Sequence, residues 1–120
     1  MINDIYFKQA ELLLRILPII DREAVFALKG GTAINFFVRD LPRISIDIDL
    51  AYLPVDERDD SLRKISSALT RIAGKITRMI PKTKVIPRKA KESDLLSGLF
   101  VEGHNAIVKI EPNLVIRGFV

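Results

Sequence analysis

A chain of 120 residues and 13.5 kDa has the length of one domain, and 48% hydrophobic with 28% charged residues suits a packed core and argues against disorder. With no Cys and a single His, disulfides, iron–sulfur clusters, thiolate zinc sites, Cys nucleophiles and multi-His metal centres are excluded. The net charge of +4 hides a polarity: ten basic and no acidic residues lie between Ser61 and Lys91, while the first sixty residues carry eleven of the fifteen acids. Such a basic stretch attracts a polyanion such as nucleic acid, the bland alternative being a solvated helix face and a soluble loop.

Residues 3–17 read as a helix: Asn3 suits an N-cap, and Tyr6, Ala10, Leu13, Ile16, Leu17 and Ile20 recur at helical spacing. Pro18 is expected to end or kink it. Asp4, Lys8, Glu11 and Arg15 interrupt its apolar residues, unlike a signal peptide. No apolar run approaches the ~20 residues that span a bilayer, so a cytoplasmic protein without membrane contact is expected. The apolar run 24–28 suits a buried strand broken by Lys29-Gly30-Gly31. Residues 32–38 (TAINFFV) suggest a short helix on the core, and Leu41-Pro42 a loop.

Residues 43–50 (RISIDIDL) alternate strictly, with Ile44, Ile46, Ile48 and Leu50 on one side and Arg43, Ser45, Asp47 and Asp49 on the other. Period two with β-branched residues predicts a strand. Pro54 and the acidic cluster Asp56, Glu57, Asp59 and Asp60 open a helix over 59–79, acidic charge being favourable at a helix N-terminus. Its buried face is predicted from Leu62, Ile65, Leu69, Ile72, Ile76, Met79 and Ile80. Residues 84–89 contain Pro87 and make an edge strand or none. Residues 96–101 and 106–111 suit a hairpin joined by Glu102-Gly103-His104-Asn105, and 113–120 are one more apolar run. The order predicts an α/β (α+β) fold, a mixed sheet with helices on one face. His104 is expected as a turn residue, and Tyr6 and Tyr52 as core-edge packing.

Three sequence features carry chemistry. Gly30-Gly31-Thr32 lies between a predicted strand and a predicted helix, where close backbone approach and free N–H groups make a phosphate cradle to which the Thr32 hydroxyl adds a donor. The ordinary reading of two glycines is a tight turn, and neither a P-loop nor a dinucleotide motif is matched. Asp47 and Asp49 share one strand face with Cα atoms about 6.5–7 Å apart; two carboxylates there repel and do little for a sheet, but suit a hard cation such as Mg²⁺ or Mn²⁺, which binds through carboxylates and substrate phosphates. Lys109-Ile110-Glu111 repeats the alternation. If its strand lies beside 43–50, Glu111 joins as a third carboxylate and Lys109 supplies countercharge to a triphosphate; the plain alternative is a solvated salt bridge. Together they describe a nucleoside triphosphate held at a glycine turn, with carboxylates gripping metal ions that stabilise the attacking and leaving oxygens of a nucleotidyl transfer. One carboxylate near the attacking hydroxyl can take its proton.

LKGGTAINFFVRDLPRISIDIDLAYL (28–53) closely resembles the nucleotidyltransferase signature of the AbiEii/AbiGii toxin family, within the DNA polymerase β-like nucleotidyltransferase superfamily. The superfamily pattern is hG[GS], a spacer, DhDh and a later h[DE]h. Gly30, Gly31 and Thr32 match the first part, Asp47 and Asp49 the second, and Glu111 in VKIEPNL the third, with Lys109 beside it. Phe36, Phe37, Pro42 and Arg43 also fit the family's form. The resemblance implies a polymerase β-like core, Mg²⁺ dependence, nucleoside triphosphate as substrate, a toxin role with a cognate antitoxin, and RNA, tRNA foremost, as acceptor, for which 61–91 offers a track.

Members of that family are longer, with a helical C-terminal portion carrying further Lys and Asp motifs. The chain, which stops at Val120, is therefore expected to be one nucleotidyltransferase core domain, 1–120, lacking that portion. The isolated chain is then expected to be inactive, and to form a homo-oligomer through an unpaired edge strand. The alternatives are a truncated non-catalytic module that binds nucleotide or a partner, transfer to a protein or small molecule, and a plain nucleic-acid-binding protein using the basic helix.

Overall fold

The computed structural model describes residues 2–29, 33–38 and 43–114. The element order is α1 (Ile2–Asp21), β1 (Phe26–Leu28), β2 (Ile34–Val38), β3 (Ile44–Tyr52), α2 (Arg58–Met79), β4 (Lys84–Lys89), β5 (Leu96–Gly103) and β6 (Ala106–Leu114). The strands form one six-stranded mixed sheet in the order β1-β3-β6-β5-β4. β1 and β2 share the same edge of β3, β1 pairing antiparallel with 50–52 and β2 with 44–48. β3 and β6 are the parallel pair at the centre, and β6, β5 and β4 follow antiparallel. The fold is thus the mixed α/β arrangement expected.

The alternation in β3 determines the layers. Ile46, Ile48, Leu50 and Tyr52 point to one side and are essentially fully buried, with Val108 and Ile110 of β6 and Leu99 and Val101 of β5 beside them. Both helices cover this face: α2 contributes Ile65, Ala68, Leu69, Ile72 and Ile76, and α1 contributes Leu12, Leu13, Ile16, Ile19 and Ile20 to one apolar cluster. No helix among the described residues is long and apolar enough to cross a membrane.

Several local expectations are corrected. Residues 34–38 form strand β2, not a helix. Ile34, Phe36, Phe37 and Val38 are β-branched or aromatic, and pairing along β3 satisfies their backbone in a way that a one-turn helix with few core contacts does not. α1 runs through Pro18 to Asp21. Pro18 and Leu14 lie on the exposed side, so the disrupted turn faces water, while burial of Ile19 and Ile20 keeps the last turn helical. The buried stripe of α1 passes through Gln9 instead of Tyr6 and Ala10; Gln9 Nε2 donates to the Asn105 carbonyl at 2.8 Å. On α2, Met79 is 57% exposed, whereas Ser61 and Ala68 are buried.

β4 is an edge strand, and Pro87 on it removes one N–H from that edge. β5 and β6 are joined by a two-residue turn, His104-Asn105, with φ of 52° and 60°. Positive φ at both central residues matches the right-handed strand twist. The run starting at 113 is not a separate element: residues 113–114 complete β6, and 115–120 lie outside the described residues.

Candidate active site

The sheet face away from the helices carries the polar residues. Asp47 and Asp49 of β3 point there, half-buried, and strand register decides their neighbours. Across the parallel β3–β6 pair, Asp47 lies opposite Lys109 and Asp49 opposite Glu111. The pairing required to bring a third carboxylate beside the Asp pair is therefore present. Neither Asp47 nor Asp49 makes a side-chain hydrogen bond or ion pair among the described residues. Two like charges on one strand face add nothing to sheet stability, and no described residue occupies their side-chain oxygens, which suit a cation.

Gly30, Gly31 and Thr32 lie outside the described residues, but the residues on either side are anchored at one point. The Lys29 N–H donates to the Asp49 carbonyl at 3.2 Å, and the Asp49 N–H donates to the Ala33 carbonyl at 2.7 Å. The chain thus leaves the edge of β3 at Asp49 after β1 and returns to it at Asp49 before β2. The next element after this segment is strand β2, so the helix N-terminus expected after Thr32 is not there to supply N–H groups.

Glu111 is engaged by two cations. Arg88 Nη2 lies 3.0 Å from Glu111 Oε2, and Lys109 Nζ lies 3.4 Å from Glu111 Oε1. Burial alone would push the Glu111 carboxyl up; the Arg88 hydrogen bond and the charge and hydrogen bond of Lys109 outweigh it, and the group titrates below the usual carboxylate range. Arg88 belongs to β4, two strands from Glu111, and reaches it across Gly98 of β5, its register partner. A Cβ on Gly98 would stand 3.3 Å from Arg88 Nη2 and 3.0 Å from the Ile110 carbonyl. The guanidinium also lies 5.9 Å from the centroid of the Phe100 ring. Neither Arg88 nor Gly98 stands out in the sequence as part of the site. Arg88 shows in the sequence as one of the ten basic residues of 61–91, and Gly98 leaves no trace there.

Donor chemistry fits a hard divalent cation at the Asp47–Asp49 pair, since Mg²⁺ is usually held by one or two carboxylates and completed by substrate phosphates. Among the described residues no group of three or more His, Cys, Asp or Glu able to hold a metal ion is formed, in keeping with a Glu111 already occupied by Arg88 and Lys109.

The basic segment is divided between the two faces of the sheet. The helix α2 lies on the core side, and three of its cations are paired there: Arg63 with Asp60, Lys64 with Asp56, and Arg71 with Glu23. The cations that share the carboxylate face come from β4, where Lys84 stands opposite Glu102 and Arg88 opposite Gly98. An anion approaching Asp47 and Asp49 therefore meets β4 and Lys109, and not the helix.

No curated protein and no solved structure matches the chain. A family model described as the nucleotidyl transferase AbiEii toxin of a type IV toxin–antitoxin system matches residues 11–114, which include β3 and β6 and every described residue of the carboxylate face. The chain belongs to the AbiEii family of nucleotidyl transferase toxins.

Proposed function

We propose that this face catalyses metal-dependent transfer of a nucleoside monophosphate from a nucleoside triphosphate to an acceptor hydroxyl, the acceptor being RNA and tRNA foremost. The carrying observation is the Asp47–Asp49 pair on one face of β3, without a side-chain partner among the described residues, with the residues on either side of the glycine segment hydrogen-bonded to the backbone of Asp49. That segment would approach the triphosphate through its backbone N–H groups, and Thr32 would add its hydroxyl. Lys109 would balance phosphate charge.

Asp47 and Asp49 would hold Mg²⁺ or Mn²⁺, with Glu111 able to join when Arg88 and Lys109 release it. The ion, when bound, supplies Lewis-acid stabilisation of the oxygens that gain charge. In the transfer the acceptor oxygen forms a bond to the α-phosphorus, the bond from that phosphorus to the bridging oxygen of the β-phosphate breaks, and pyrophosphate leaves. The hydroxyl proton passes to a carboxylate of this set. A cognate antitoxin is the expected protein partner.

The test is incubation of labelled nucleoside triphosphates with RNA, protein and small-molecule pools. Label is expected in RNA. Asp47→Asn or Asp49→Asn is expected to lower transfer at least about a hundredfold, since each removes charge that stabilises the transition state, with the far-ultraviolet circular dichroism unchanged. Equal transfer by both variants would remove the assignment. Binding of triphosphate and metal by calorimetry without any labelled product would favour a module that binds nucleotide and does not turn it over.

A further inference from the structure

The same face carries a concavity that phosphate chemistry does not explain. It measures about 280 Å³, and its floor is Ser45 and Asp47 of β3 with Ile107 and Lys109 of β6. Its walls are two phenyl rings, Phe37 from β2 and Phe100 from β5. Register explains the depth: Phe37 stands opposite Ser45, Ser45 opposite Ile107, and Lys109 opposite Phe100. A small Ser in the row of Phe37 leaves space that a branched side chain would fill. Phe37 is 51% exposed although it is a large apolar residue, so core packing does not account for it. Phe100 is steadied from outside the cup by Arg88, which does not line it.

The face has a direction along its central strands. Ser45 and Ile107 form one row with Phe37 beside them; Asp47 and Lys109 form the next, and Asp49 and Glu111 the one beyond. Each step is about 6.5–7 Å. Phe100 stands in the Asp47–Lys109 row, and the Ser45–Ile107 row ends at the Glu102–Lys84 pair on β5 and β4. Along the centre of the face the order is therefore Phe37 with Ser45 and Ile107, then Asp47 with Lys109 and Phe100, then Asp49 with Glu111 at the anchor of the glycine segment. A nucleotide has the same order, with a flat π-system at one end and phosphates at the other.

We propose that the Phe37–Phe100 cup binds a nucleobase, that of the incoming nucleoside triphosphate, by stacking. This rests on the nucleotidyl transferase reading of the Asp47–Asp49 face and adds the orientation of the substrate on it: base toward the start of β3, phosphates toward Asp49. Stacking on a phenyl ring tolerates any base, so the cup selects for the presence of a base more than for its identity. Lys109, on the cup floor beside Asp47 and next to the Asp49–Glu111 row, meets the phosphate nearest the sugar.

The test compares equilibrium binding of the four nucleoside triphosphates, inorganic tripolyphosphate and a short RNA with a single-stranded 3′ end, each with Mg²⁺, to the full chain and its variants. Phe37→Ala and Phe100→Ala are expected to weaken triphosphate binding by about 5- to 150-fold, the worth of one base–aromatic stack, and to leave tripolyphosphate binding unchanged. Phe100→Trp, which keeps a stacking surface, is expected to retain affinity, and Ser45→Val, which fills the floor, to lose it. Equal loss for nucleoside triphosphate and tripolyphosphate, or no loss for either, overturns the proposal. Loss confined to the RNA also overturns it, because the cup then holds a base of the acceptor. Asp47→Asn/Asp49→Asn reports separately on the underlying reading: it is expected to weaken both triphosphate ligands, and indifference of both removes the catalytic assignment and this proposal with it.

Discussion

A Cβ added at Gly98 would approach the Ile110 carbonyl to 3.0 Å and Arg88 Nη2 to 3.3 Å. The backbone oxygen cannot retreat cheaply, and the guanidinium would be pushed off its course toward Glu111. Gly98→Ala is therefore expected to destabilise by about 1–3 kcal/mol in urea unfolding, in the range of overpacked sites. Arg88→Ala removes the same contact without crowding. The Glu111 carboxyl is then expected to titrate at higher pH than in the unaltered protein, readable by carbon NMR of the Glu side chains. The sign comes from linkage: a carboxyl held below its unfolded value adds stability above the unfolded pKa and loses it as pH falls through the folded one. At this scale the sequence was partly legible. Asp47 and Asp49 are two apart in a strictly alternating strand, and period two alone puts them on one face. Arg88 and Gly98 are twenty-three and thirteen residues from Glu111, and no local pattern ties them to it.

Between elements, single polar links hold the helices to the sheet and its turns. Tyr52 at the end of β3 is buried and its hydroxyl donates to Asp56 at 2.7 Å, with Lys64 of α2 3.2 Å from the same carboxylate oxygen. Burial, reinforced by the hydrogen bond and charge of Asp56, pushes the Tyr52 phenol up to about 12. The folded protein retains that proton where the unfolded chain, titrating near 10, has lost it. Stability is thus expected to fall as pH rises from about 10 to about 12, and Tyr52→Phe is expected to flatten that decline in alkaline unfolding curves. On the acid side Asp56, lowered first by Tyr52 and then by Lys64, adds stability above its unfolded value and loses it as pH falls through its folded one. Arg71 of α2 grips Glu23 of the turn after α1 through Nη2–Oε1 at 2.7 Å and Nε–Oε2 at 3.0 Å. Glu23 is buried while Arg71 is half in solvent, so Arg71→Ala is expected to cost about 1–2 kcal/mol by thermal or urea unfolding, below the figure for a fully buried pair. α2, β3 and the β5–β6 hairpin were legible because each has a strong internal period. β2 was not: TAINFFV is apolar throughout, and a short apolar run does not distinguish helix from strand until the free edge of β3 is known.

For the whole molecule, the decisive feature is that the two faces of one sheet have separate work. One is closed by helices over Ile46, Ile48, Leu50 and Ile110, all with no exposed surface; Ile48→Ala is expected to cost about 2–5 kcal/mol by urea unfolding, as for other large-to-small core changes. The other face collects the carboxylates, Lys109 and the cations of β4. Under the proposed function, replacing the α2 cations Arg63, Lys75 and Arg78 with Gln is expected to leave RNA affinity nearly unchanged. Lys84→Gln on β4 is expected to lower it and to flatten its salt dependence by about 0.7 in the logarithmic slope per lost contact. What the sequence determined by itself is the set of elements with a strong repeat and the side on which each of their residues lies, because helical and strand periods are properties of a few consecutive residues. What the tertiary structure decided is which rows meet: Asp49 beside Glu111, Arg88 laid over Gly98, Phe37 and Phe100 around one cup, and α2 on the far side from the carboxylates. The reason is physical. Sliding a strand by two residues leaves every side chain on its own face yet changes all its neighbours, so pairing is chosen only by contacts between segments far apart in the chain.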